Sequence, residues 1–203
     1  MKHTGPMFVA GVDEAGRGPL AGPVVVAAVI LKRRFVLPGL DDSKRLSPEV
    51  REQLFPRICD AAIAWSVVEV SPHDIDRLNI LGATLWGMQQ AVESLIPTPA
   101  RTLIDGNQAP ALRGEVCTII GGDSLEPAIS AASILAKVTR DHRMRELHQQ
   151  FPLYGFDQHK GYATPDHLRR LADYGACEIH RRSFAPVRFS IENHASSPFA
   201  TPS

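Results

Sequence analysis

The sequence is poor in the features that mark secreted, membrane and strongly cationic proteins. Its 203 residues include only three cysteines, which form no CxxC pair, so a disulfide framework or a cysteine zinc site is not expected and a reducing compartment fits better. No window of about 18 residues is both uncharged and apolar, which argues against a membrane span. The 22 basic residues are balanced by 22 acidic ones. We therefore expect a cytoplasmic protein that does not bind nucleic acid through excess positive charge alone.

The composition is that of an ordinary globular protein, but its charge is unevenly distributed. Hydrophobic residues make up 44% and charged residues 22% of the chain, which disfavours disorder and coiled coil. The segments 32–57 and 137–188 carry net charges of +3 and +4, and the rest of the chain carries −7. This distribution suits an enzyme that binds a polyanion and gathers carboxylates at one point. Ordinary solvated charge explains the same counts equally well.

Hydrophobic periodicity predicts strands that alternate with helices in the second half of the chain. Apolar runs predict five strands, at 8–12, 23–31, 65–70, 101–104 and 116–120. Helical spacing, with capping signals at Ser47 and Thr164, predicts helices over 48–60, 80–95, 127–150 and 165–174. The order of these elements predicts an α/β fold, with a mixed sheet flanked by helices and a helical C-terminal extension.

Three of the predicted strands lead into an acidic residue close to glycine. These acids are the Asp13–Glu14 pair, Asp105 and Asp123. Ligand sites of open α/β sheets lie at strand ends, and converging carboxylates raise one another's pKa unless a cation intervenes. An all-oxygen site suits Mg²⁺ or Mn²⁺, and two such ions can activate water and stabilise the leaving oxygen in phosphodiester cleavage. Each acid taken alone is more often a turn cap, but three coincident cases favour a metal site.

A glycine-flanked turn, Gly16-Arg17-Gly18, lies one residue after the Asp13–Glu14 pair. Its backbone could approach a sugar or a phosphate closely because glycine carries no Cβ, although an ordinary hairpin turn has the same signature. The next glycine, Gly22, breaks the GxGxxG spacing of dinucleotide-binding proteins. Walker A, HExxH and GxSxG motifs are also absent from the sequence, which removes the usual support for nucleotide-hydrolase, zincin and serine-hydrolase functions.

Eight motifs, in one order along the chain, resemble those of the bacterial type 2 ribonuclease H family, ribonuclease HII. They are VDEAGRGPLAG at 12–22, DSKRLS at 42–47, LNIL at 78–81, IDGN at 104–107, GDS at 122–124, ISAASILAKVTRD at 129–141, HKGY at 159–162 and HRRSF at 180–184. Each motif alone is weak evidence, but eight in order are specific. Together they cover the chain from about residue 8 to residue 190.

The resemblance implies a ribonuclease H-like fold and a metal-dependent endoribonuclease. The expected core spans 1–150, a helical extension packed on it spans 151–192, and a flexible tail spans 193–203. The expected substrates are the RNA strand of RNA–DNA hybrids and single ribonucleotides in duplex DNA. Cleavage with two Mg²⁺ or Mn²⁺ ions would leave a 3′-hydroxyl and a 5′-phosphate. Nothing in the sequence demands more than a monomer or requires an obligate protein partner, and no membrane association is expected.

The same resemblance suggests roles for individual residues. The four carboxylates Asp13, Glu14, Asp105 and Asp123 match the catalytic metal ligands. Gly16, Arg17 and Gly18 match the motif that senses the 2′-hydroxyl, the group that distinguishes RNA from DNA. Tyr162 matches the aromatic that lies against a deoxyribose, with a packed core tyrosine as the alternative. Candidate phosphate contacts are Lys44, Asn79 and Lys137.

Two other functions compete with this interpretation. A nuclease of the same fold that acts on DNA alone, such as a junction resolvase, is disfavoured because it needs no sensor of a 2′-hydroxyl. A hybrid-binding module that has lost catalysis is disfavoured because all four carboxylates are present. Since one fold hosts many activities, the fold alone could not decide among the three.

Overall fold

A computed structural model describes residues 7–32 and 46–196 of the protein. These residues form two compact units that are interleaved along the sequence. The described part of the first unit comprises 7–15, 25–32, 46–69 and 84–139. The described part of the second unit comprises 16–24, 70–83 and 140–196.

Within the described residues, five strands form one mixed sheet. The strands are β1 (Val9–Ala15), β2 (Val24–Leu31), β3 (Ala62–Val70), β4 (Arg101–Asp105) and β5 (Glu115–Ile119). Their order across the sheet is β3-β2-β1-β4-β5. β1 is antiparallel to β2 and parallel to β4, and β4 is parallel to β5. This arrangement confirms the α/β fold with a five-stranded mixed sheet and flanking helices.

The described residues also form seven α-helices and one short 3₁₀ helix. The α-helices are α1 (Pro48–Ala61), α2 (Pro72–Glu93), α3 (Gly122–Leu125), α4 (Pro127–Gln150), α5 (Phe156–His159), α6 (Pro165–Tyr174) and α7 (Ala185–Ala195), and the 3₁₀ helix is Pro152–Tyr154. No described helix is long and apolar enough to span a bilayer. The cytoplasmic location remains a prediction. So does the division at 150 and 192, although α7 extends through 193–195 of the expected tail.

Local capping explains where two of the helices begin. The Ser47 hydroxyl accepts a hydrogen bond from the Val50 N–H at the start of α1. The Thr164 hydroxyl accepts one from the His167 N–H at the start of α6. Each bond satisfies a backbone donor that has no partner within its helix. Both predicted helix starts are confirmed.

Several predicted boundaries were wrong: the third strand begins at Ala62 rather than at residue 65, and two other differences have a clear structural reason. The first strand does not end at Val12, because antiparallel pairing with β2 continues through Ala15 after the pairing with β4 has ended. The second helix begins at Pro72 rather than near residue 80, since Ser71 caps an additional turn by accepting from the Asp74 N–H. Asn79, with φ 58° and ψ 168°, interrupts this helix.

The core of the first unit forms where β2 meets α1 and α4. Val25, Ala27 and Val29 occupy alternate positions on β2, so they share one face of the sheet. Leu54 and Ile58 of α1 pack in the same buried cluster, together with small and branched residues of α4. This packing seats α4 against the sheet beside β1, which is the strand that carries the first two predicted site residues.

The second unit has a core in which aromatic side chains are prominent. Tyr154 and Phe156 stack with ring centroids 5.4 Å apart, and Met144 and Ala21 complete the same buried cluster. The Tyr154 hydroxyl donates to the Gly175 carbonyl over 2.9 Å, so its polar end is satisfied. This cluster supports the segment from 159 to 162, which carries another predicted site residue.

Candidate active site

Three of the four predicted carboxylates lie together in the first unit. One carboxylate oxygen from each of Asp13, Asp105 and Asp123 can be chosen so that all three atoms lie within 4.8 Å of one another. Asp13 lies within β1, Asp105 ends β4 and Asp123 lies in α3. Asp13 and Asp123 are 5% and 4% exposed. Oxygen atoms at this spacing form a suitable site for a hard divalent cation.

Strand register and a glycine turn bring these three residues together. Val12 pairs with Ile104, so the next residues, Asp13 and Asp105, emerge side by side from parallel strands. After β5, Gly121 adopts a left-handed conformation with φ 68° and starts α3. The following N–H, that of Gly122, donates to Asp105 Oδ1 over 2.7 Å. The chain therefore turns back toward Asp105 immediately before Asp123.

A close approach between β1 and α4 supplies a further contact to Asp13. A Cβ atom at Gly11 would overlap the backbone of Ala128, so only glycine allows the start of α4 to lie this close to the strand. Ser133, farther along α4, hydrogen-bonds the Asp13 carboxylate. The Glu14 N–H donates to Asp13 Oδ1 over 2.7 Å. These bonds hold the carboxylate in a fixed orientation.

The electrostatics of the cluster favour a bound cation. Burial raises the pKa of Asp13 well above its usual value, and the negative charges of Glu14 and Asp105 raise it further. The hydrogen bonds from Ser133 and the Glu14 N–H lower it only in part. Three close carboxylates, two of them buried, are unfavourable without a compensating charge. The donor set therefore fits a hard divalent metal ion.

Glu14, the fourth predicted carboxylate, is outside this group of three. It follows Asp13 on the same strand, and consecutive strand residues point to opposite faces of the sheet. Its side chain is partly buried, and its charge raises the pKa of Asp13. The structure thus places Glu14 within electrostatic range of the cluster. Its role as a ligand remains a prediction.

Two buried arginines of the second unit hold the turn formed by Gly16, Arg17 and Gly18. The Arg181 guanidinium donates to the carbonyls of Gly16 and Arg17 over 2.6 and 2.9 Å, and also to the Gly22 carbonyl over 3.0 Å. Arg140 lies against Gly16 and donates to the Pro23 carbonyl over 3.0 Å. Arg181 is 0% exposed and Arg140 is 1% exposed, so both guanidinium groups bind the backbone from the interior of the unit. Gly16 is buried, whereas Arg17 and Gly18 are exposed.

Tyr162 lies beside this turn. Its Cε1 is 3.7 Å from the position that a Cβ would occupy on Gly18, and the Arg140 guanidinium carbon is 5.8 Å from the ring centroid. Its side chain is 45% exposed, which does not suit a packed core tyrosine. The second unit therefore presents an aromatic ring and a glycine turn on one surface.

Comparison with known proteins identifies the family of the chain. The family model for ribonuclease HII matches residues 10–187. The chain belongs to the ribonuclease HII family. A ribonuclease HII from Burkholderia mallei is 60% identical over 185 residues, covering 91% of this chain and 86% of that protein. The enzyme is therefore a ribonuclease H that hydrolyses RNA in RNA–DNA hybrids, and its family depends on divalent metal ions.

Solved structures of the family share the same fold. Ribonuclease H2 from Pyrococcus horikoshii superposes with a TM-score of 0.79 at 28% identity, covering 94% of this chain and 100% of that one. The ribonuclease HII of Archaeoglobus fulgidus, solved as a complex with PCNA, gives a TM-score of 0.71 at 27% identity, covering 86% and 94%. The ribonuclease H-like fold expected from the sequence is confirmed.

The three residues predicted to contact phosphates differ in their position and side-chain environment. Lys44 lies outside the described residues. The Asn79 side chain is exposed, and its Oδ1 accepts from the N–H groups of Leu81 and Gly82 over 3.0 Å, so it caps the second part of α2. Lys137 is partly buried on α4. A phosphate contact from Asn79 would have to use its amide nitrogen.

Sequence reasoning missed Arg140 and Arg181, although both stand inside motifs that carried the resemblance. A buried arginine usually pairs with an acid, and the sequence offered no sign that these two instead satisfy backbone carbonyls. Burial lowers the pKa of Arg181 to about 9, and the nearby charge of Arg140 contributes to this shift. For Arg181 the available signal was an arginine whose motif, HRRSF, contains no acidic residue, whereas the motif of Arg140 includes Asp141 and gave no such signal.

The conformation of Gly16 leads to a stability prediction that has a matched control. Gly16 and Gly106 have φ values of 94° and 95°, but a Cβ would overlap the Arg140 side chain at Gly16 and meet nothing within 4 Å at Gly106. Gly106→Ala should lower the free energy of unfolding by about 1–2 kcal/mol, the penalty of a left-handed backbone at a residue with a Cβ. Gly16→Ala should lower it further because the new Cβ also displaces Arg140. Urea unfolding of both variants measures the difference, and equal losses would contradict the overlap.

Proposed function

We propose that this enzyme also cuts duplex DNA on the 5′ side of a single embedded ribonucleotide, leaving a 3′-hydroxyl and a 5′-phosphate. The observation that carries this proposal is the position of the Tyr162 ring against Gly18. A lone ribonucleotide differs from its DNA neighbours only by its 2′-hydroxyl. An enzyme that cuts there needs a surface that reads one sugar, and a glycine turn beside an exposed aromatic ring is suited to that task.

We assign Asp13, Glu14, Asp105 and Asp123 as the residues that hold two divalent ions, Mg²⁺ or Mn²⁺. The assignment is supported by the close oxygens of the three aspartates and by the raised pKa of Asp13. When bound, such ions supply an activated water and stabilise the leaving oxygen. The chain itself contributes the fixed orientation of Asp13, set by Ser133 and the Glu14 N–H.

The turn and Tyr162 select the nucleotide in this proposal. Gly16 follows Glu14 after one residue, and Arg181 and Arg140 keep the turn rigid. Rigid donors and acceptors at the turn would bond the 2′-hydroxyl at little entropic cost. The Tyr162 ring would lie against the adjacent deoxyribose, with its hydroxyl near the same 2′-hydroxyl. Asn79 and Lys137, together with Lys44, would contact phosphates.

The direct test compares duplexes of one sequence that differ at a single sugar. The central nucleotide is ribose in one duplex, 2′-deoxyribose in a second and 2′-fluoro-2′-deoxyribose in a third, and a full RNA–DNA hybrid is the positive control. Each is incubated with Mg²⁺, Mn²⁺ or a chelator. We expect cleavage of the ribose duplex and the hybrid with either metal, and none with the chelator. A phosphatase-dependent change in mobility would identify the 5′-phosphate.

The same set of duplexes separates the alternatives. Cleavage of the hybrid but not of the single-ribonucleotide duplex would contradict the proposed specificity and leave the ribonuclease H activity intact. Equal cleavage of the ribose and deoxyribose duplexes would contradict the sensing role of the turn and Tyr162. Loss of cleavage with the 2′-fluoro sugar would indicate that the hydroxyl proton is needed, because fluorine cannot donate a hydrogen bond.

A further inference from the structure

Three histidines of the second unit form a cluster that takes no part in the proposed reaction. His167 and His180 are 0% and 1% exposed. The rings of His159 and His167 stack with centroids 4.4 Å apart, and the rings of His167 and His180 are 5.3 Å apart. Phe156 packs against all three rings. His159 is partly buried, and the two buried rings need defined hydrogen bonds to be stable.

The hydrogen bonds define one proton position on each of the two buried rings. The Cys177 N–H donates to His180 Nδ1 over 3.1 Å, so that nitrogen carries no proton and His180 Nε2 does. His180 Nε2 lies 3.1 Å from His167 Nε2, which must then accept. His167 Nδ1 therefore carries a proton and donates to the Tyr162 carbonyl over 2.9 Å. These bonds form one chain, in which each group donates to the next, from the Cys177 N–H through His180 and His167 to the Tyr162 carbonyl. We call this chain of hydrogen bonds the relay.

Both rings of this relay must stay neutral for its bonds to persist. A second proton on His180 would set its Nδ1–H against the Cys177 N–H, and a second proton on His167 would set two Nε2–H groups against each other. Burial lowers the pKa of His180 to about 3 and also lowers the pKa of His167. The relay is thus a permanent support at neutral pH.

The segment that the relay supports has an unfavourable backbone. Lys160 and Gly161 have φ values of 51° and 83°, which are two consecutive left-handed residues. Such a conformation persists only where its surroundings fix it. The Gly161 N–H donates to His159 Nδ1 over 3.2 Å, and the Lys160 carbonyl accepts from Arg140 over 3.0 Å. The histidine cluster and Arg140 therefore fix the backbone immediately before Tyr162.

We propose that His180 and His167 are positioning residues for substrate recognition, which fix Tyr162 through its carbonyl so that its ring stays against the Gly18 turn. This role rests on the proposed function, because it matters for activity only if Tyr162 contacts the substrate. It extends the recognition element from the exposed tyrosine to two buried rings. It also explains why the exposed Tyr162 can have a defined position: its backbone is held from inside the second unit.

Amide hydrogen exchange tests the positioning itself, without any substrate. His167→Phe removes the side-chain donor to the Tyr162 carbonyl and keeps a ring of similar size, while the Thr164 N–H still donates to that carbonyl over 2.8 Å. The amides of Gly161 and Tyr162 should then exchange faster than in the parent protein. His194→Phe is the matched control, because His194 also bonds a backbone carbonyl of the second unit, that of Ala172 over 2.9 Å. The control should leave both amides unchanged, and unchanged exchange in His167→Phe would overturn the proposal.

A double-mutant cycle tests whether His167 acts through Tyr162. Single-turnover cleavage of the single-ribonucleotide duplex by His167→Phe should be about 10- to 100-fold slower, the size of effect that small misplacements produce. The same change should cause no further loss in a Tyr162→Ala background. His167→Asn should recover most of the rate, because its amide can donate from near the Nδ1 position. If His167→Phe lowers the cleavage rate by the same factor in the parent protein and in Tyr162→Ala, His167 has a merely structural role.

The two measurements keep this proposal separate from the function on which it rests. If Tyr162→Ala cleaves the ribonucleotide duplex as fast as the parent, the role of Tyr162 fails, whereas the exchange data still decide whether the relay fixes the segment. If His167→Phe does not fold, His180→Leu provides the same cycle, since it removes the donor to His167. If the fold-losses in cleavage rate caused by the His180 substitution and by Tyr162→Ala multiply in the double variant, the two residues act independently and the proposal is overturned.

Discussion

Replacing Asp13 with asparagine should abolish cleavage and, at the same time, stabilise the metal-free protein. Asparagine has the same shape and can still accept from the Glu14 N–H, but it removes the charge that binds a cation. Changes in residues that merely support metal ligands cost about 10–100-fold, so loss of a ligand should lower the rate by more than about 100-fold. Cleavage assays in Mg²⁺ and Mn²⁺ measure this effect.

The gain in stability follows from the pKa of Asp13. Folding raises this pKa from its usual value of 3.8, so the folded state binds a proton more tightly than the unfolded state. The wild-type protein therefore loses stability as the pH rises through the raised pKa. Asp13→Asn avoids this loss, and its advantage in a chelator should be largest at neutral to alkaline pH and should shrink toward pH 4.

A matched control separates this effect from the general removal of negative charge. Asp60→Asn changes an exposed aspartate on α1 and should leave both the cleavage rate and the pH dependence of stability nearly unchanged. Thermal unfolding in the chelator across this pH range compares the three proteins. A metal-free Asp13→Asn variant that is less stable than the wild type at pH 8 would contradict the electrostatic description of the cluster.

Removing the Tyr162 side chain should lower cleavage at a single ribonucleotide far more than it lowers stability. The side chain is 45% exposed, so Tyr162→Ala gives up little core packing. Loss of the ring that positions the sugar should cost about 100-fold. Tyr162→Phe keeps the ring and loses one hydroxyl bond, which corresponds to about 3- to 10-fold at about 0.5–1.5 kcal/mol. Single-turnover rates on the single-ribonucleotide duplex should therefore be highest for the parent, lower for Tyr162→Phe and lowest for Tyr162→Ala.

Tyr174 supplies the control for this prediction. It is 52% exposed in the same unit, at the end of α6, and takes no part in the proposed site. Tyr174→Ala should therefore leave the rate on the ribonucleotide duplex unchanged. Equal rates for Tyr162→Ala and the parent, with both proteins folded, would reject Tyr162 as part of the recognition surface.

The sequence predicted the parts of the site that local patterns encode. Apolar runs that lead into acids placed Asp105 at the end of β4 and Asp123 shortly after β5. The same patterns could not show that β1 continues past Asp13, because that extension depends on pairing with β2. They also could not show that Asp13 and Glu14 occupy consecutive positions within a strand rather than a loop. Because consecutive residues of a strand point to opposite faces of the sheet, Glu14 lies outside the group of three aspartates.

Contacts between segments distant in the chain were beyond sequence reasoning. Arg181 reaches carbonyls of the Gly16 turn, more than 160 residues earlier, and nothing in the local sequence of either segment indicates that contact. The histidine relay likewise depends on the relative placement of His167 and His180 and on the Tyr162 carbonyl. Motif spacing indicated the exposed residues that we propose contact the substrate, whereas the buried groups that hold them became visible only in the fold.

The most direct measurement is anomalous diffraction from crystals of the enzyme grown with Mn²⁺. A manganese peak is predicted within about 2.0–2.5 Å of a carboxylate oxygen from each of Asp13, Asp105 and Asp123, the range of hard divalent ions bound to oxygen. Manganese bound only elsewhere, or no peak among these three residues at a concentration that supports full cleavage, would contradict the proposed metal site.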